Sequence, residues 1–155
     1  MREFSHSLVI NAPPAAVLDA FFDADAMASW WQVRRAVCTP RPLGGYAVEW
    51  EPTDWRDDVL GPLGGVFHGT VIEFRPGREF FIADLYWLPP EGDPIGPMAL
   101  EARCEAHGDR QSLLNLRQSG YDAASPRWSR YYDIVSVNWV TALDALKKYL
   151  EDRWT

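Results

Sequence analysis

Residues 128–150 read WSRYYDIVSVNWVTALDALKKYL, and the spacing of their apolar side chains decides the architecture. Trp128, Tyr132, Val135, Trp139, Ala142, Leu146 and Leu150 recur every three or four positions, the period that gathers side chains on one face of an α-helix. Arg130, Asp133, Asn138, Asp144, Lys147 and Lys148 fall on the other side. Beginning after Pro126, this pattern predicts a helix of about 25 residues, about 40 Å long at 1.5 Å per residue. So long an apolar stripe needs an equally long partner, and the apolar face of a β-sheet supplies one.

Upstream of the helix the period is two. Candidate strands are 33–38, 46–51, 65–74, 79–87, 98–106 and 112–119, each bounded by Gly, Pro or Asp. Tyr46, Val48 and Trp50 alternate with Ala47, Glu49 and Glu51, and Met98, Leu100, Ala102 and Cys104 alternate with Glu101, Arg103 and Glu105. One face is apolar and the other wet, as an antiparallel meander permits. Ahead of these lies FSHSLVI, residues 4–10, in which Phe4, His6, Leu8 and Ile10 alternate with Ser5, Ser7 and Val9. Asn11 and Pro13-Pro14 end that strand and lead into two short helices, AAVLDAFF and a second over 24–31. The second contains MASWWQ. Adjacent helical residues point about 100° apart, so Trp30 and Trp31 divide the work. One is expected under the long helix beside Trp139 and the other at a pocket or sheet edge; which does which stays open.

The chain has 155 residues and a net charge of −7. A single domain over 1–155 is expected, able to bury roughly 70% of its unfolded surface. No apolar run approaches the roughly 18 to 20 residues that cross a bilayer, and the N-terminus lacks the apolar stretch of a signal peptide. A cytoplasmic protein without membrane insertion is expected. Basic residues form no cluster longer than Arg34-Arg35, which argues against nucleic acid. Cys38 and Cys104 stand far apart with no CxxC partner and read as buried thiols. No HExxH, GxSxG or phosphate-loop pattern occurs, and TDWRDD lacks the spacing of a calcium loop and reads as a solvated loop. Neither a metal nor another cofactor is expected.

What stands out is aromatic content: eight Trp, seven Phe and six Tyr. In a meander successive turns alternate between sheet ends. The short turns near 75–78 and 107–110 fall at one end, and the longer connections 52–64, 88–97 and 120–126 at the other, where loops usually carry function. Near that second end lie Trp50, Trp55, Tyr86, Trp87, Tyr121, Trp128 and Tyr131. A pocket between the sheet's concave face and the long helix is expected there, with Trp50, His68, Tyr86, Trp87, Met98, Trp128 and Tyr131 against a small apolar or aromatic ligand. The competing reading has these aromatics filling the interior. His68, in VFHGTV, shares a face with Thr70 and Ile72; if that face is inward, it can orient a carbonyl or act as acid or base. If outward, it is an ordinary strand histidine.

Strand, two short helices, six strands and a long helix is the order of an α+β helix-grip fold, a curved sheet of about seven strands wrapped around the C-terminal helix. VINAPPAAVLDAFFDADAMASWW, LGGYAVEW, FHGTVIEFRPGREFFIADLYW, LNLRQSGY and NWVTALDALKKYLE, in that order, resemble the START-like (SRPBCC) branch named after the activator of the heat-shock-protein-90 ATPase. The resemblance implies a cavity for lipids, hormones, polyketides or similar molecules. It also implies two alternatives to plain binding: a metal-free polyketide cyclase or aromatase, for which His68 is the candidate acid or base, and a module that assists a chaperone. A homodimer is compatible with either.

Overall fold

In a computed structural model, described here for residues 2–121 and 124–154 (for Tyr121, the backbone only), the elements follow the expected order. Strand β1 (Arg2–Ile10) leads to helices α1 (Pro14–Asp19) and α2 (Ala24–Trp30), then to β2 (Val33–Cys38) and β3 (Gly45–Trp50). A two-strand hairpin, β4 (Arg56–Asp57) and β5 (Gly61–Pro62), interrupts the next connection. Strands β6 (Gly65–Arg75), β7 (Glu79–Leu88), β8 (Ile95–Ala106) and β9 (Ser112–Tyr121) precede helix α3 (Pro126–Trp154). The main sheet has seven strands in the order β1-β9-β8-β7-β6-β3-β2, with antiparallel neighbours throughout. This is the helix-grip arrangement; the small β4–β5 hairpin was not among the expected strands.

Alternation puts Phe80, Ile82, Leu100, Ala102, Leu114 and Leu116 on the inner face, fully buried. The outer face carries a ladder of alternating charge. Glu3 meets Arg117, which reaches Glu101; Arg103 joins Glu101 to Glu79; Arg75 joins Glu79 to Glu73. Bulges disturb the pairing on both sides of β7. Against β6 the register slips between His68 and Thr70 and between Val71 and Glu73; against β8 it slips between Ile82 and Leu85, where Asp84 takes φ +50°, and between Leu85 and Trp87. Ile82 and Leu85, three positions apart, are therefore both fully buried.

Helix α3 buries Tyr131, Trp139, Leu143, Leu146 and Leu150. The stripe is thus turned by one position in its first turns relative to expectation: Tyr131 goes inward, while Tyr132 lies over Phe4, 5.8 Å between ring centres, with its hydroxyl donating to the Glu3 carbonyl. Polar bonds hold the helix along the β1 edge. His6 Nε2 lies 2.9 Å from the Ser136 carbonyl, an acceptor that requires the proton on that nitrogen, and Lys147 donates to the Val9 carbonyl at 2.7 Å. Glu151 takes the Asn11 N–H and the Lys147 ammonium, and together these hold its carboxyl below its ordinary pKa, the lysine contributing most.

The α1–α2 corner is fastened from inside. Carbonyls near a helix end lack intrahelical partners. Here Trp30 Nε1 donates to the Ala20 carbonyl at 2.9 Å and the buried Tyr46 hydroxyl to the Phe21 carbonyl at 2.8 Å. Asp23 caps α2 by accepting the Asp25 and Ala26 N–H groups. Phe21 and Phe22, just past α1, pack on Phe80 and Phe74.

Candidate functional site

At the end of the sheet with the longer loops the core opens into a cavity of about 370 Å³. Helix α2 stops at Trp30, and the chain turns through Trp31 and Gln32, which adopts φ +57°, so both residues reach the cavity wall. Trp50 at the end of β3 and Glu51 just past it border the cavity, and β6 and β7 contribute Phe67 and Trp87 from the inner face. Leu60, Leu63 and Gly64 of the β4–β5 hairpin close one side, and α3 presents Tyr131, Ile134, Val135, Asn138, Trp139 and Ala142. Four of the eight tryptophans therefore line one space.

The indoles are positioned by their own N–H groups. Trp50 Nε1 donates to the Trp31 carbonyl at 3.1 Å, Trp87 Nε1 to the Gly64 carbonyl at 2.7 Å, and Trp139 Nε1 to Gln118 Oε1 at 2.7 Å. Gln118 is fully buried on β9 and also donates to the Met98 sulfur. Its side chain is hydrogen-bonded to the Tyr131 hydroxyl as well, whose pKa burial pushes well up, so that phenol stays neutral. Trp31 stands among rings: it stacks on Trp30 (5.0 Å, 2° between planes), meets Trp50 edge-on (5.2 Å, 81°) and tilts against Trp139 at 5.0 Å.

The hairpin side is held by charge. Asp57, 6% exposed, accepts the Val59 and Leu60 N–H groups at 3.0 Å each, and Arg130 of α3 bonds its other oxygen at 2.7 and 2.8 Å. The Arg130 guanidinium, seconded by those two N–H groups, holds the Asp57 carboxyl below its ordinary pKa against the opposing effect of burial. This overturns the reading of TDWRDD as a solvated loop: Asp54 and Asp58 are exposed, but Asp57 is a buried anchor.

A family model described as "Activator of Hsp90 ATPase homolog 1-like protein" matches residues 11–151. The chain belongs to that family. Solved structures similar to this family member share its fold at low identity. Protein MLL2253 from Mesorhizobium loti is 18% identical, each chain covered over 99%, with a TM-score of 0.74. Protein CV1439 from Chromobacterium violaceum is 22% identical, with 97% of this chain and 99% of that one covered and a TM-score of 0.66. The Aha1 dimer from Colwellia psychrerythraea is 16% identical over 97% of each chain, with a TM-score of 0.68. None of the curated proteins matches the chain.

Of the residues expected at a pocket in this family member, Trp50, Trp87 and Tyr131 line the cavity. His68 does not. The inward members of β6 are Phe67 and Val71, which leaves His68 exposed on the outer face, its ring 6.0 Å from Tyr86. Tyr86 goes outward with it because the β7 bulge makes Leu85 and Trp87 the inward pair. Met98 is buried in the core against Gln118, and Trp128 is half-buried beside the first turn of α3 outside the cavity. Trp55 is exposed on the hairpin, and the Tyr121 side chain lies outside the described residues.

Residues not foreseen include Gln32, Glu51, Thr53, Leu60, Leu63, Gly64, Phe67, Ile134 and Asn138. Their signal was partly legible, since Leu60 and Leu63 are apolar residues in a connection for which no strand was expected. As for the tryptophan pair, Trp30 is the core residue and Trp31 alone takes both expected roles, beside Trp139 and at the cavity. Among the described residues no group of three or more His, Cys, Asp or Glu side chains is placed to hold a metal ion, and no helix is long and apolar enough to cross a membrane.

Proposed function

We propose that this protein binds a small hydrophobic or aromatic molecule in the cavity between the sheet and α3. The observation that carries the reading is a space of about 370 Å³ lined by four tryptophans and left unfilled by them, walled by indole and aliphatic groups with a few polar groups among them. Pockets for small ligands have this size and this mixture. A cyclase step run by His68 has no route to such a ligand, because His68 faces outward on β6. Native mass spectrometry of protein purified without denaturation should show a retained apolar mass. Ala142→Phe, which places a ring into the cavity from α3, should remove that mass while leaving the helix and sheet signature of the circular dichroism unchanged. Retention of the same mass by Ala142→Phe would overturn the reading.

A second reading, assistance to a chaperone ATPase, is favoured by the family match over residues 11–151. It predicts co-purification with the Hsp90 chaperone and a raised ATPase rate of that chaperone on addition of this protein. No binding and no change in rate would remove it.

A further inference from the structure

Polarity is not spread evenly around the cavity. Apart from the aromatic rings, the polar side chains that line it are Gln32, Glu51, Thr53 and Asn138, and all four are exposed. They mark its mouth. The buried lining residues are Leu60, Phe67, Trp87, Tyr131 and Trp139. Their side chains carry three groups able to hydrogen-bond, and each is already bonded within the protein: Trp87 Nε1 to the Gly64 carbonyl at 2.7 Å, Trp139 Nε1 to Gln118 Oε1 at 2.7 Å, and the Tyr131 hydroxyl to the Gln118 amide. Among the described residues, the inner wall therefore offers an incoming molecule no uncommitted side-chain group.

Two of those three bonds end on one residue. Gln118 is fully buried on β9, and its amide also donates to the Met98 sulfur at 3.4 Å. A buried amide is costly unless its hydrogen bonds are made, so Gln118 and its partners fix one another's orientation. Tyr131 and Trp139 stand about two turns apart on α3. Gln118 is not among the lining residues, so the atoms bonded to it are drawn away from the space. A ligand hydroxyl carried inward would give up its bonds to water and find no replacement, whereas one left at the mouth keeps water and has Gln32, Thr53 and Asn138 beside it.

From this we infer that the cavity takes an amphipathic ring molecule apolar end first, its hydrocarbon body among Phe67, Trp87, Tyr131 and Trp139 and its hydroxyl or carbonyl group left at the mouth. Gln118 is the positioning residue that enforces this order, by holding the polar atoms of two wall residues. The inference rests on the reading that the cavity binds a ligand at all. It deepens that reading by assigning polarity along the ligand's length.

Two uncharged probes of equal length test it by isothermal titration calorimetry on the full chain: 6-ethyl-2-naphthalenemethanol and naphthalene-2,6-dimethanol, which differ in a methyl or a hydroxyl at the far end. The mono-alcohol should bind tighter than the diol by about tenfold or more, equal to about 1.4 kcal/mol. Gln118→Leu releases the Trp139 N–H and the Tyr131 hydroxyl and should narrow that ratio about threefold; an unaltered ratio would overturn the role of Gln118. Tyr131→Phe keeps the ring and should change mono-alcohol affinity by less than about twofold, whereas a loss of about tenfold would show the hydroxyl serving the ligand and overturn the orientation. A diol that binds as tightly as the mono-alcohol would overturn the polarity assignment while the cavity reading survives. If neither probe binds, or if the mono-alcohol still binds Ala142→Phe, the cavity reading falls and the inference with it.

Discussion

Trp30 and Trp31 show how two neighbouring residues come to serve different parts of one molecule. Trp30 is 3% exposed, packs on Phe21 at 5.1 Å and spends its N–H on the Ala20 carbonyl. Trp31, past the helix end, lies parallel to it and turns its other side to Trp139, Trp50 and the cavity. The same economy holds for Tyr46, whose hydroxyl serves the Phe21 carbonyl. Tyr46→Phe keeps the ring and leaves that carbonyl unpaired in the core, so it should cost about 1–3 kcal/mol. The urea midpoint should fall with an unchanged slope. Cys38 and Cys104 are likewise ruled by burial, which pushes both thiols up to about 11. At pH 8 they should react with iodoacetamide far more slowly in native protein than in urea. Equal rates would contradict their placement.

The β4–β5 hairpin is anchored on Asp57 by one ion pair and two backbone bonds, beside an exposed pair of Arg56 with Glu91. It has little sheet of its own, so its order depends on that anchor. Arg130→Met should leave the main sheet intact while amide exchange at Val59 and Leu60 speeds up, a local opening that hydrogen exchange resolves residue by residue. The sign with pH follows from the lowered Asp57 pKa. A carboxyl whose folded pKa lies below its unfolded value, about 3.9, stabilises above that value and loses the contribution as pH falls through the folded pKa. The wild-type urea midpoint should therefore drop more than that of Arg130→Met between pH 5 and pH 3. Parallel drops would show that the pair contributes nothing. The anchor was hidden in the sequence, because TDWRDD reads as a solvated turn until α3 is brought over it. The long helix, by contrast, was legible, since its period of three to four survives any partner; only its rotation by one position in the first turns depended on which residue fits the sheet.

At the scale of the whole molecule, the inner face is apolar and the outer face carries an ion ladder from Glu3 to Glu73 that crosses five strands. Glu101 stands at its centre, bonded to Arg103 and Arg117 at 2.9 Å each. Exposed pairs are worth roughly 0–1 kcal/mol each and are screened by salt. Glu101→Gln should thus destabilise by under about 1 kcal/mol in low salt, and the difference in melting temperature from wild type should shrink in 1 M NaCl. A difference that persists there would mean that packing, not charge, is lost. The cavity lies opposite this ladder, between the other face and α3, so variants on the two sides should act independently. The blocking substitution Ala142→Phe and the ladder substitution Glu101→Gln should add in a double variant to within about 0.5 kcal/mol, as distant sites do.

The order of elements, the seven strands of the main sheet and the long helix were determined by the sequence alone, because periods of two and of three to four are local properties that any apolar partner satisfies in the same way. So was the end of the sheet where the cavity opens, because turn lengths sort themselves along a meander. The faces were determined only in part: β3 and β8 bury the alternating residues expected, Tyr46, Val48, Leu100 and Ala102 among them. On β7 a bulge at Ala83 and Asp84 resets the phase, and one residue of phase exchanges inside for outside, so Trp87 faces the cavity and Tyr86 faces away. On β6 the alternation runs unbroken from Phe67 to Val71, and Phe67 inward leaves His68 outward. The tertiary structure also decided the space itself: whether aromatic rings fill an interior or surround a void depends on the angles at which they meet, and those angles are set by neighbours far apart in the chain.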